Sequence, residues 1–317
     1  MTAPAWKTWS ALGLVYVVWG STYLAIRYVV ESLPPLYTAS ARILVASALL
    51  VAFLLVRRGA AAFRGSLRQY GTAAAVGLLL LCGGNGGVTI AEDSHLPSGL
   101  AALLVAGVPL WVVLLRASRG DRPTSRTVLG VLIGFAGLAV LLLPGARPQG
   151  VQLWAVVLVL CSSVLWAVGS FVGSRLPLPA DPLVASVVEM LGGAVGLALA
   201  GAVRGESVHL HDVRTSSVVA FAFLVLCGSI GAFTAYSWLL THAPISWVAT
   251  YAYVNPVVAV LLGALFVDER ITGTTLLGGA VTVLAVAVVV AEEGRLSRAA
   301  AQSAAAGAGD GRPVARA

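Results

Sequence analysis

Two ionisable residues, Arg42 and Glu189, stand inside long apolar runs. A charge at the centre of a membrane helix costs about 2.5 to 3.5 kcal/mol on insertion scales, so each needs a partner or a task. A guanidinium suits the carboxylate group of a solute, and a carboxylate suits a cation or a proton. Pairing with backbone carbonyls or a neighbouring helix accounts for either residue equally well. Polar and aromatic residues recur around them at spacings of three and four, which puts them on one helix face. Tyr16, Gly20, Tyr23 and Arg27 form one stripe with Trp19 beside it, and Cys82, Asn85, Thr89 and Glu92 form a second. Ser163, Trp166, Ser170 and Ser174 form a third, and Thr234 with Trp238 a fourth. Tyr251 and Asn255 share a face beside Pro256, an aromatic wall and an amide that could meet a solute. In lipid such faces turn toward protein or a wet cavity. Any single Ser or Thr is a packing residue by default; the agreement of several helices carries the reading.

The elements that position these residues follow from composition. Of 317 residues, 59% are hydrophobic and 10% charged, against roughly half and a quarter in soluble domains. Runs of about 20 apolar residues, the length that crosses a bilayer core, lie near 11–29, 36–56, 71–91, 98–117 and 127–145. Five more lie near 152–173, 183–203, 216–238, 246–266 and 275–292. Every join is short, so the chemistry belongs in or beside the membrane. A shift of 147 positions places Trp19 on Trp166, Arg42 on Glu189, His95 on His242, Pro109 on Pro256 and Asp121 on Asp268. Near the third run the shift becomes 145 and sets Leu81-Cys82-Gly83 on Leu226-Cys227-Gly228. Five crossings per copy force the second copy to enter from the opposite side. The expectation is an all-α membrane protein of ten transmembrane helices, built as two inverted five-helix repeats at 11–146 and 147–293. Residues 1–10 form a leading segment, and 294–317, rich in Ala, Gly and Arg without periodicity, a disordered tail. Inverted repeats are the plan of many secondary transporters, with the site at the repeat interface; a duplicated scaffold or channel shares it.

Pro109 and Pro256 interrupt the fourth and ninth runs and free the carbonyls of Val105 and Ala252; kinks at matching places point to a binding region or a hinge, with a plain packing kink as the alternative. Gly130 with Gly134 and Gly192 with Gly196 are close-packing pairs. The Gly83-Gly84-Asn85-Gly86-Gly87 run is denser than packing needs and reads as a loosened helix.

Net charge is +7, yet the basic residues form no single face, and nucleic acid is excluded as a partner. With the amino terminus inside, fourteen basic residues fall in inside segments and five in outside loops, which places both termini in the cytoplasm. Cys82, Cys161 and Cys227 lie in apolar runs and read as small core residues. Lys7 is the only lysine, so no phosphate-cradling nucleotide loop exists. Neither a metal set nor a nucleophile motif is visible, so no cofactor or enzyme activity is expected.

The chain resembles the drug/metabolite transporter superfamily, specifically its EamA-type ten-helix transporters, over about residues 11–292. The resemblance rests on Trp19-Gly20-Ser21-Thr22-Tyr23, Leu33-Pro34-Pro35 leading to Arg42, Gly83-Gly84-Asn85, and Pro97-Ser98-Gly99-Leu100-Ala101-Ala102. Val108-Pro109-Leu110-Trp111 and Asn255-Pro256-Val257-Val258, followed by Asp268-Glu269-Arg270, complete it. It implies a cavity between the halves and carriage of amino acids, related metabolites or drugs, frequently outward. Similar proteins often carry a glutamate where Asn255 stands, which leaves Glu92 and Glu189 for any coupling proton. Expected is a secondary transporter, an exporter or exchanger of a small polar metabolite, in a bacterial inner membrane; a passive channel or lipid scramblase is the alternative. Cavity candidates are Trp19, Tyr23, Arg42, Asn85, Glu92, Trp111, Trp166, Ser170, Glu189, Tyr251 and Asn255. Partners are a small-molecule substrate and the lipid bilayer, with a coupling proton and a homodimer left open.

Overall fold

The computed structural model describes residues 5–143, 150–208, 210–243, 245–248 and 250–309. Among them there is no strand. Ten helical segments follow the apolar runs. The first five are α1 (Ala5–Val29), α2 (Pro35–Arg58), α3 (Leu67–Asp93), α4 (Ser98–Ala117) and α5 (Ser125–Leu142). The second five are α6 (Leu153–Gly173), α7 (Pro182–Arg204), α8 (Thr215–Tyr236), α9 (Tyr251–Phe266) and α10 (Gly273–Gly309). Among the described residues nine helices are long and apolar enough to cross a membrane, and α9 is a shorter apolar helix. Leu132, Leu199, Leu265 and Leu284 are each more than 60% exposed, a surface that only lipid would cover at low cost.

Helix starts repeat between the halves. Pro35 and Pro182 open α2 and α7 at the position where a missing N–H matters least. In α7 the Asp181 carboxylate also accepts from the Leu183 amide at 3.0 Å, an N-cap. Packing repeats as well. Helix α1 lies on α8 and α9, while α6 lies on α3 and α4; α3 lies on α7, while α8 lies on α2. The pairs α2–α7, α4–α9 and α5–α10 map onto themselves when the repeats are exchanged. The bundle therefore has a pseudo-two-fold axis, and each half is completed by the other. With ten crossings, the start of α1 and the end of α10 share one end of the bundle, the terminal face; the opposite end is the far face.

Glycines set the closest approaches. A Cβ on Gly130 would lie 2.7 Å from Val289 of α10, and one on Gly192 would lie 2.6 Å from the Ala74 carbonyl of α3. The dense glycine run also serves close packing. Gly84 receives the Trp166 ring, Gly86 the Leu197 side chain and Gly87 the Ser162 hydroxyl. Here α3 widens into a π-helical stretch, Leu78–Asn85, and α8 does so at Leu224–Ala232. Such turns are frequent at functional sites.

Four expectations change. The start at residue 11 moves to Ala5, and the coil expected from 294 is helix as far as Gly309. Alanine has the highest helix propensity, so Ala-rich sequence without an apolar stripe extends α10. The repeat boundary at 146–147 lies outside the described residues, as do residues 310–317. The two prolines also act unequally. Helix α4 breaks between Val105 and Val108, leaving Pro109 in the first turn of the second piece, where it needs no donor. Pro256 stays inside α9, five residues past its start. Finally, Cys161 and Cys227 are exposed and Cys82 half-buried; none belongs to the buried core.

Candidate functional site

The candidate residues gather in clusters along the repeat interface. The aromatic one joins α1, α8 and α9. The Trp19 ring lies 5.0 Å from Tyr236 and 5.2 Å from Tyr251, edge-on to the latter. Its Nε1 donates to the Gly228 carbonyl at 3.2 Å, inside the π-helical stretch of α8, where the widened ladder presents carbonyls to neighbours. The repeat-related Trp166 lies on Gly84, in the π-helical stretch of α3. Asn255 is buried on the next turn of α9, and its Oδ1 meets no donor.

A second cluster joins α2 and α3. The Arg42 Nη2 donates to Asn85 Oδ1 at 3.1 Å, while its Nε is buried without an acceptor. Both line a crevice with Ile26, Thr89 and Phe221 that has room for about 10 Å³, the space of about one water. An amide on a guanidinium leaves most of the planar donor fork unspent, and that fork matches a carboxylate. Glu189 stands elsewhere, where the α7 backbone meets Gly77 of α3 too closely for any side chain there. Glu92 is fully buried at the end of α3, and neither carboxylate oxygen meets a donor. Arg27 and Glu269 are the charges that act on it. A carboxylate buried without a donor is costly wherever it stands.

A third cluster joins α4, α5 and α6. Trp111 Nε1 donates to Ser163 Oγ at 3.0 Å and stands edge-on to Phe135 at 4.5 Å. Toward the terminal face, Ser170 opens into a cavity of about 340 Å³ with Val112, Arg116, Phe171, Ser174 and Arg175.

The two faces are fastened differently. At the far face, Glu269 accepts from the Ser98 and Gly99 amides at 2.7 and 3.0 Å, closing the α9–α10 loop onto the start of α4. Glu206 accepts from the Leu36 and Tyr37 amides, both at 3.0 Å, and closes the end of α7 onto the start of α2. Charge-assisted bonds to orphan amides at a helix start are among the stronger polar contacts. The repeat-related residues at the terminal face are Arg122 and Gly59, which cannot make them. Ion pairs stand at both faces: Arg58 with Asp181 and Arg116 with Asp121 and Glu293 at the terminal face, and Arg204 with Asp93 and Arg214 with Glu31 at the far face. The carboxylate latches on helix-start amides of a partner helix are what the far face adds.

The sequence matches the EamA-like transporter family twice, over residues 7–143 and 153–291. The chain belongs to that family. The two matched segments coincide with the two packed halves. Among EamA-like relatives, the inner membrane transporter YedA of Escherichia coli (strain K12) is 41% identical, over 88% of this chain and 89% of its own. A probable amino-acid metabolite efflux pump of the same organism is 25% identical over 84% and 88%. A crystal structure with a TM-score of 0.59 and 22% identity covers 89% of this chain and 95% of its own, a likeness of fold alone.

Within this EamA-like fold, Trp19 meets Tyr251, Arg42 meets Asn85, and Trp111 meets a stripe residue of α6. Glu92, Glu189 and Ser170 lie apart from these pairs. Reading by helix face missed Tyr236, which stands two residues from both Thr234 and Trp238, and it missed Arg116, Asp121 and Arg175. The only signal for the latter was the repeat match of Asp121 with Asp268. Their meeting depends on loops, which carry no periodicity.

Proposed function

We propose that the protein is a secondary transporter working by alternating access, an exporter or exchanger of a small polar or zwitterionic metabolite such as an amino acid or a drug-like solute. The supporting observation is that two repeats of one fold are fastened unequally. Helix starts are latched by Glu206 and Glu269 at the far face, and a cavity of about 340 Å³ opens toward the terminal face. Exchange of that asymmetry between the repeats is how inverted-repeat carriers change access. The distribution of basic residues supports a cytoplasmic terminal face. The names of YedA and the efflux pump support a bacterial inner membrane and outward carriage.

In this reading Arg42 and Asn85 take the solute carboxylate, while Trp19, Tyr236 and Tyr251 enclose its body. Tyr23, Trp111, Trp166 and Ser170 line the path, Glu92 or Glu189 carries a proton or cation, and Pro109 and Pro256 serve as hinges. Purified protein in vesicles loaded with unlabelled amino acids or sugars, one at a time, should accumulate the matching labelled solute by counterflow and saturate. Leak without saturation or exchange would support a passive channel or scramblase and overturn the proposal.

A further inference from the structure

We infer a second recognition site, for an anionic oxygen group, at the mouth of the terminal-face cavity, built on Arg116 and Arg175. Arg116 Nε donates to Asp121 Oδ2 at 3.0 Å and Arg175 Nη2 to the same oxygen at 3.4 Å. One carboxylate oxygen thus already bridges two guanidiniums from different helix ends, and Asp121 occupies the place an incoming anion would take. Arg175 lies over the Phe171 ring, its Cζ 3.9 Å from the centroid, a cation–π contact that helps hold the guanidinium at the cavity mouth. Arg116 is held from behind by Glu293.

The rest of the cavity fits the same kind of ligand. Val112 and Phe171 give it an apolar wall, Ser170 an exposed hydroxyl, and its volume, about 340 Å³, is within the usual range for small-molecule pockets. Asp121 and Glu293 balance the two arginine charges, so an external anion competes with Asp121; that carboxylate is half-exposed, and water takes it up when it swings off the arginine pair. The ligand class is a carboxylate or phosphate on a small apolar body, and either a soluble solute or a lipid headgroup can supply that group. Binding here needs no transport cycle, so this site and the proposed carrier activity fail separately.

The test uses the full chain purified in nonionic detergent, with benzoate and phenyl phosphate as probes and benzyl alcohol and benzamidinium as controls, read by microscale thermophoresis. The anions should bind and both controls should not. Arg175→Gln should weaken anion binding about tenfold, Arg175→Lys should restore part of it, and Asp121→Asn should tighten it about threefold. Repeating the titration in nanodiscs of phosphatidylcholine, with and without phosphatidylglycerol, separates the sources. Competition by the anionic lipid assigns the site to a headgroup, and its absence to a soluble solute; both keep the anion site. Equal binding of anions and controls, or an Arg175→Gln affinity equal to wild type, overturns it.

Discussion

The far face and the terminal face are ends of the same duplicated unit and both carry ion pairs, yet the far face alone adds carboxylate latches on helix starts of a partner helix among the described residues. At the far face two carboxylates, Glu206 and Glu269, are spent on backbone amides at helix starts, where few other partners exist. Ion pairs between partly exposed side chains, such as Arg116 with Asp121 at the terminal face and Arg204 with Asp93 at the far face, stand at both ends and are worth at most about 1 kcal/mol each; at the terminal face no such pair of latches joins them among the described residues. The difference lies in two positions per repeat, where Glu206 and Glu269 face Gly59 and Arg122 across the pseudo-axis. An inverted fold needs little more than this to favour one access state, since the shared packing cancels between states and only the unequal contacts remain.

The largest effect expected from breaking this comparison is at the crevice behind the far latches. Arg42→Ala should abolish counterflow while folded protein stays in the membrane, and wild-type flux in that variant would remove Arg42 from the site. Next comes the latch itself. In a cysteine-free background carrying Ala102→Cys, a buried probe near the start of α4, Glu269→Ala should raise labelling by an impermeant thiol reagent about tenfold. Arg116→Ala should leave that labelling unchanged, and equal rises in both would show that the faces are fastened alike.

A smaller effect separates close packing from open helix surface. Gly77→Ala drives a methyl into the Glu189 backbone, whereas a Cβ at Gly71 meets nothing within 4 Å. The first should lower the melting temperature, with overpacking costing about 1 to 3 kcal/mol, and Gly71→Ala should be neutral or stabilising. The smallest effect compares the repeat-related tryptophans. Trp19→Phe loses the bond to Gly228, about 1 kcal/mol, and should slow counterflow more than Trp166→Phe, whose ring contributes contact on Gly84. Equal slowing would place the two indoles in equivalent roles.

These contrasts also mark what the residues revealed without coordinates. Apolar length and the repeat offset are global properties, so ten segments and their pairing into halves were legible, as were the packing faces of Gly130 and Gly192. Helix stripes located Trp19, Asn85 and Tyr251 because a period of 3.6 fixes a face. What a face meets is set by another helix, so the Arg42–Asn85 contact, the isolation of Glu189 and the clustering of Tyr236 with Trp19 needed the fold. Loop residues carry no period, and Asp121 therefore gave no sign that it bridges Arg116 and Arg175. Residues 294–309 misled for a different reason: low complexity was read as disorder, while alanine propensity extends the preceding helix.

Everything depends on the two halves facing opposite ways. Single cysteines at Ala60, after α2, and Ser207, after α7, placed in a cysteine-free background and probed with an impermeant reagent on intact and opened cells, test this most directly. The two positions should label from opposite sides of the bilayer, residue 207 in intact cells and residue 60 only after opening. Labelling of both from one side would contradict the inverted repeat and the unequal fastening built upon it.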